Sequence, residues 1–279
     1  MSKIRQLAPL LLLLVSACVP KAFLLEQPKL VSVYFERKIE KLEKAKSPDL
    51  DIQRLLMRTK VEYGFGIIME QASRLIDEDY KQAMAKYEQA NKIFSEARDS
   101  GILIISKRYP SFNNWLNKEA SIDFNADDMN DIYWLAASIG GCISSSRGDP
   151  FELINLPNVG RLLRTGIDIN PEWGNGSFFS AMISFTTTRS DLNEIMLRDS
   201  VDYYFDKAVL YSNGKDAGPY LAYAESIHKP FQERKNFVDK LNYVINMENK
   251  PNNEFELTNL LAKSRAKWLL ARTEEYFLE

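Results

Sequence analysis

Residues 125–146 read NADDMNDIYWLAASIGGCISSS, and after a Pro/Gly break residues 156–173 read LPNVGRLLRTGIDINPEW. At helical spacing the first stretch lines up Ile132, Leu135, Ile139 and Ile143 on one stripe, with Ala136, Gly140 and Ser144 in a row beside it and Ala137 and Gly141 in the next. Adjacent glycines inside a helix cost about 1 kcal/mol each against alanine. That cost makes sense where a neighbouring helix approaches closely, near the short end of the roughly 8–10 Å range of axis separations. The small rows therefore predict a docking groove, with the helix that follows as its partner. Asn125 is placed to cap the first helix, with Asp127 and Asp128 in the turn where the macrodipole favours acids, and Arg147-Gly148-Asp149-Pro150 stops it. Pro157 sits near the start of the second helix and Asn170-Pro171 closes it.

A helix rich in small residues, a turn, a helix ending in Asn-Pro and a new helix beyond is the unit of a helical-hairpin solenoid. Working outward, residues 51–79 make a long amphipathic helix opened by Asp49 or Asp51, with Gly64 and Gly66 leaving room for a neighbour. Residues 79–97, DYKQAMAKYEQANKIFSEA, space Ala83, Tyr87 and Ala90 as in the second helix of a tetratricopeptide repeat. The small-large-small pattern returns as Val201, Phe205 and Ala208, and more loosely as Val159, Leu163 and Gly166. Spacings longer than the standard 34 make the repeats irregular. Trp115 falls in a short helix or turn, a helix runs from about Tyr220 to His228, and Pro230 opens the next. The last helix draws its buried face from Leu257, Leu260, Leu261, Ala262, Trp268, Leu269 and Tyr276. No strand run stands out. The expected fold class is all-α: irregular tetratricopeptide-like helical hairpins stacked into a compact solenoid.

The chain starts differently. Lys3 and Arg5 precede an apolar run from Leu7 to Val15 of about nine residues, far short of the roughly 20 that span a bilayer, so this is a cleaved signal. Val15-Ser16-Ala17-Cys18 puts small residues before a cysteine, the bacterial lipoprotein arrangement, with Cys18 as the lipid attachment site. Each lipid methylene entering the membrane gives about 0.8 kcal/mol, so several chains hold a protein durably. The expected organisation is a signal peptide over 1–17, a lipidated tether and N-terminal segment over 18–48, and a helical domain over 49–279. Residues 36–46, ERKIEKLEKAK, read as a loosely docked helix in that tether. Localisation follows as the periplasmic face of a bacterial membrane.

Composition and motif absences bound the chemistry. The chain is 45% hydrophobic and 27% charged with a formal charge of −2; losing Lys3 and Arg5 with the signal takes this to −4, so nucleic-acid binding has no electrostatic support. A single histidine, His228, excludes a multi-histidine metal site and leaves any serine or cysteine nucleophile one base. No GxSxG, Walker A, GxGxxG or CxxC pattern occurs. His228, before Lys229-Pro230, reads as a cap on helix-end carbonyls, and Cys142 as a small core residue. Asp123, Asn125 and Asp127 resemble the start of a calcium loop, but Asp128 stands where glycine is needed, so helix capping is the better reading. No cofactor or metal is expected, and no enzymatic activity.

The aromatics carry what signal remains. Trp115, Tyr133, Trp134, Trp173, Phe178, Phe179 and Tyr220 fall at or near helix starts and turns, where a solenoid presents its inner surface. Two readings stand: ordinary packing between repeats, or an apolar cleft for a ligand or an extended partner segment. In the second, Trp134, Trp173, Asn175, Phe178 and Tyr220 are the contact residues, with Asn175 and Ser177 offering donors to a carboxylate at a helix start.

With those residues in view, the chain resembles the T-component family of tripartite ATP-independent periplasmic (TRAP) transporters, the TatT lipoproteins. The matching stretches, in order, are MEQASRLIDEDY, DIYWLAASIGGCISSS, NLPNVGRLLRTGIDINPEWGNG, AGPYLAYAES and TNLLAKSRAKWLLAR, covering roughly residues 55–277. The resemblance implies a homotrimer with a pore through each subunit, association with the periplasmic solute-binding P component, and organic anions, hydrophobic ones included, as substrates. Gly166 departs from the repeat pattern, where alanine is usual. A different class of function, an envelope-assembly scaffold holding peptide segments in the same groove, uses the same residues. A hydrolase on a helical toroid would have to rest on His228.

Overall fold

The computed structural model describes residues 28–45, 48–251 and 253–278, and every regular element among them is a helix. Cys18, the expected lipid site, and the signal segment 1–17 lie outside the described residues. No helix among those described is long and apolar enough to cross a membrane.

The chain runs α1 (Pro28–Lys44), then α2 (Leu50–Tyr63), a π-helical segment (Gly64–Met69) and α3 (Glu70–Leu75), which together return against the long α4 (Tyr80–Arg108). Next come α5 (Phe112–Leu116), α6 (Met129–Ser145), α7 (Pro150–Leu153), α8 (Leu156–Ile169), α9 (Ser177–Thr187) and α10 (Glu194–Tyr211). A second π-helical segment (Ala224–His228) extends α11 (Gly218–Tyr223), and α12 (Arg234–Asn246), α13 (Glu256–Ala271) and α14 (Thr273–Tyr276) complete the body. Each long helix packs on the next, α4 on α6, α6 on α8, α8 on α9 and α9 on α10, which is the stacked-hairpin order the sequence predicts. Ala83, Tyr87 and Ala90 are all buried, as are Val159, Leu163 and Gly166; of the third set, Val201 and Ala208 are buried and Phe205 is half-buried.

Helix α6 is the spine between two cores. Ile132, Leu135, Ile139 and Ile143 face one core, with Leu162 and Phe178. Cys142 faces the other, with Met57, Ile68 and Phe94. The Cys142 thiol is buried and free, and burial pushes its pKa up to about 11. Asn125 caps as expected: its side chain accepts from the Asp127 N–H, while Asp128 accepts from the Asn125 N–H at 2.9 Å. Asp49 likewise accepts from the Asp51 N–H at the start of α2.

The docking groove is filled from an unexpected side. A Cβ on Gly141 would fall inside the Phe94 ring, which comes from the preceding α4 and not from α8, and Gly140 has open space around it. The following hairpins repeat the device with their own rings, Phe178 against Gly166 and Phe185 against Gly160. Gly166→Ala should therefore lower stability: overpacking a well-filled core costs about 1–3 kcal/mol, more than the roughly 1 kcal/mol that alanine returns in helix propensity. A lowered thermal midpoint checks this; an unchanged or raised one would show that Phe178 has room to shift.

Other expectations move. Helix α12 begins at Arg234, because residues 229–233 form a turn with Gln232 at φ 59°, so Pro230 does not open it. On α13, Leu257 is exposed and Asn259, Ala262, Ala266 and Leu269 are buried, a rotation of the inner face away from Leu257. Helix α1 seats Val31 and Phe35 in the core, with Phe35 stacked on Tyr63 at 5.3 Å.

Candidate functional site

The two ends of the helical body meet. The first π segment and α3 on one side, and α11, the second π segment and α13 on the other, border an open cavity of about 550 Å³. Phe65, Gly66, Met69, Tyr87, Leu221 and Leu261 supply its apolar wall, and Gly66 approaches Leu261 so closely that a Cβ there would stand 3.2 Å from it. π-helical turns are rare and gather at functional sites, and here one from each end of the chain lines the same space.

The polar floor is an ion network that spans the closure. Arg265 of α13 holds Glu225 with two bonds, Nη2 to Oε2 at 2.8 Å and Nε to Oε1 at 3.2 Å. Across the junction its Nη1 donates to Ser73 Oγ at 3.0 Å and lies 3.4 Å from Glu70. Arg74 pairs with Glu70 at 2.7 Å and reaches Ser264 Oγ at 3.2 Å. Farther out, Arg272 meets Asp77 at 2.9 Å. The guanidiniums of Arg74, Arg265 and Arg272 lie over or around the Trp268 ring at 5.8, 4.6 and 4.9 Å from its centroid. Glu70, Glu225 and Arg265 are the charged residues of the lining, with Arg74 behind Glu70, so the cavity presents apolar walls over a base of ion-paired groups. Such a space fits a ligand with an apolar body.

The residues singled out from sequence fall in three places. Trp134, half-buried on α6, packs edge-on to Tyr133 at 5.2 Å beneath the Arg58 guanidinium. Tyr133 in turn touches Trp173 and Phe178, each at 5.3 Å, so Trp134, Trp173 and Phe178 are joined in one aromatic run. Phe178 is wholly buried. Asn175, at φ 55° in the turn before α9, donates to the Glu254 carboxylate at 2.7 Å; the donor expected to meet a carboxylate meets the chain's own. Tyr220 stands apart on α11, against Phe205 at 5.2 Å and Tyr243 at 4.6 Å, where it lines a second concavity of about 370 Å³ with His228 and Lys240.

Asp216 links these groups electrostatically. Burial raises its carboxyl above the usual range against the opposing hydrogen bond from the Gly218 N–H. Burial and then the Asp216 charge push the Tyr133 phenol up to about 12, and Tyr220 is raised by burial, its bond with Tyr243 and the same charge. His228 does not cap carbonyls: its Nδ1 lies 2.6 Å from Glu233 Oε2, and burial lowers its pKa. No group of three or more His, Cys, Asp or Glu able to hold a metal occurs among the described residues.

A family model for the TRAP transporter T-component matches residues 37–277. The chain belongs to that family. The match takes in both ends of the closure and therefore the whole cavity. An uncharacterized protein of Treponema pallidum (strain Nichols) is 20% identical over 236 residues, covering 80% of this chain and 71% of that protein. T-component membership makes the chain an accessory of a TRAP transport system.

Sequence reasoning missed Glu70, Glu225, Leu261 and Arg265 as a site. With 38 acidic residues in the chain, carboxylate pairs carry no signal of their own. Arg265 and Ser73 are 192 positions apart, beyond the reach of any periodicity.

Proposed function

We propose that the chain is a non-catalytic, lipid-anchored T component. It is held at the periplasmic face of the membrane through Cys18, binds the solute-binding P component, and takes an organic anion of apolar body into the cavity where the chain's ends meet. Trimeric assembly belongs to the same reading. The observation that carries it is the 550 Å³ cavity itself, apolar in its walls and lined by a π-helical turn from each end. Tethering both proteins to one surface raises their effective concentration, so modest direct contacts suffice. The aromatic run of Trp134, Trp173 and Phe178, with Asn175 and Tyr220, is proposed as additional contact surface for ligand or partner.

The test is pull-down of the tagged protein from membranes, with mass spectrometry of both co-purifying proteins and small molecules. Leu261→Trp fills the cavity; it should keep the solute-binding protein and lose the small molecule by at least about tenfold, the effect of roughly 1.4 kcal/mol. Full retention of the small molecule by Leu261→Trp would move the ligand elsewhere, and Trp134→Ala in the same experiment reports on the aromatic run. Absence of any solute-binding protein from the unaltered sample would end the T-component partnership proposed here.

A further inference from the structure

The cleft of about 370 Å³ between α11 with its π segment and α12 lies outside the cavity just described and has its own chemistry. Lys240, half-buried on α12, lines it. Its Nζ lies over two rings, 4.7 Å from the Phe205 centroid and 4.6 Å from that of Tyr223, and has no hydrogen-bond or ion-pair partner among the described residues. Some sequestered cations of this chain hold carboxylates, Lys60 with Glu43 and Glu96, each at 2.7 Å, and Arg54 with Asp131 at 2.8 Å, whereas Lys229 and Arg161, like Lys240, lie over rings, but neither of those two lines this cleft. The acids near Lys240 are otherwise engaged. Asp239 is bonded to Lys235 at 2.7 Å, Asp202 accepts from the Tyr223 hydroxyl at 2.5 Å, and Asp206 acts only through its more distant charge. Burial accordingly lowers the Lys240 pKa more than these carboxylates raise it.

Donors and one carboxylate line the cleft with the ammonium, the carboxylate being Asp239, which Lys235 neutralises at 2.7 Å. Asn236 and Tyr243 lie four residues before it and three after it on α12, so they share its helix face and line the same cleft. Tyr243 and Tyr220, their ring centroids 4.6 Å apart, both line the cleft, and their hydroxyls are donors. His228 lines the opposite side, its Nδ1 taken by Glu233, which Arg198 also holds at 2.9 Å. The Lys240 charge is felt at the imidazole and lowers its pKa.

We propose that this cleft is a second ligand site, for a compact oxyanion, carboxylate or phosphate, that seats on Lys240 Nζ with Asn236 and the Tyr220–Tyr243 pair completing its hydrogen bonds. An oxyanion supplies the direct ion pair that Lys240 lacks among the described residues, beyond the longer-range charges of Asp202 and Asp206, and ionised partners make the stronger hydrogen bonds. The rings of Phe205 and Tyr223 cover one side of the ammonium and leave the other to the open cleft.

The single histidine gives a clean readout. Full-length protein is titrated with acetate and, separately, inorganic phosphate while the His228 ring signals are followed by NMR. Arrival of an anion beside the imidazole stabilises its protonated form, so the His228 midpoint should move to higher pH as the site saturates. Lys240→Gln should weaken the anion by at least about tenfold, and Lys240→Arg, which keeps the charge, should retain saturable binding. Response to acetate alone identifies a carboxylate ligand, response to phosphate alone a phosphoryl group, and response to both a general oxyanion site. A His228 signal that neither anion shifts saturably overturns the proposal. So does a folded Lys240→Gln variant that binds as tightly as the unaltered chain.

Discussion

Replacing Phe94 by alanine should lower the unfolding free energy by about 3–5 kcal/mol, the range for truncating a fully buried phenylalanine. The ring is wholly buried and fills the meeting point of three segments. It covers Gly141 on α6 and Gly64 in the first π segment so closely that a Cβ at either position would overlap it, and it packs on Phe65 at 4.6 Å. Two of its walls are therefore helix backbone. Backbone does not relax into a void as flexible side chains do, which places the expected cost in the upper half of that range. Urea denaturation should show a lower midpoint at an unchanged slope, since the surface exposed on unfolding hardly alters. A further result separates shape from mere apolarity. Gly141→Ala alone should destabilise, yet in the Phe94→Ala background the same methyl enters empty space and should be neutral or stabilising. If the two substitutions simply add, the ring is not what the glycine makes room for.

The same residues show how far the sequence could be read. Small side chains at 137 and 141 mark a face meant for close approach, and the isoleucine stripe beside them marks the core; both follow from the period of the helix alone. Periodicity says which face is buried and is silent about which neighbour buries it. The filler therefore turned out to be a ring from the preceding helix. The aromatic run from Trp134 to Phe178 could be anticipated because its members sit on adjacent hairpins. The cavity could not, for two physical reasons. It is made by closing the first hairpin onto the last, a contact with no local signature, and its π turns interrupt segments whose periodicity reads as ordinary helix, the first of them where Phe94 packs on Gly64.

Removing the Arg265 side chain should have the other large effect, about 2–3 kcal/mol, because it strips the counter-charge from Glu225, a carboxylate whose side chain is 30% exposed. The guanidinium is the one group that bonds Glu225 on its own side of the closure and Ser73 and Glu70 on the other. Its side chain is 15% exposed, so water replaces little of what is lost. Much of the cost of Arg265→Ala is the penalty of leaving Glu225 without a cation; Glu70 keeps Arg74 at 2.7 Å. The double variant Arg265→Ala/Glu225→Gln should accordingly be more stable than Arg265→Ala alone, a coupling that chemical denaturation of the four members of the cycle measures directly. Arg265→Lys keeps the charge but not the fork that grips both oxygens of Glu225, and should fall between the two. The cavity responds with the same ordering. With Arg265 gone, its floor carries an unopposed carboxylate beside the apolar wall, so an anionic ligand should be expelled from Arg265→Ala and readmitted by Glu225→Gln in the double variant. A ligand that instead bound more tightly to Arg265→Ala would be cationic, and the anion proposed for this cavity would have to be given up while the closure of the two chain ends, read from stability alone, would stand.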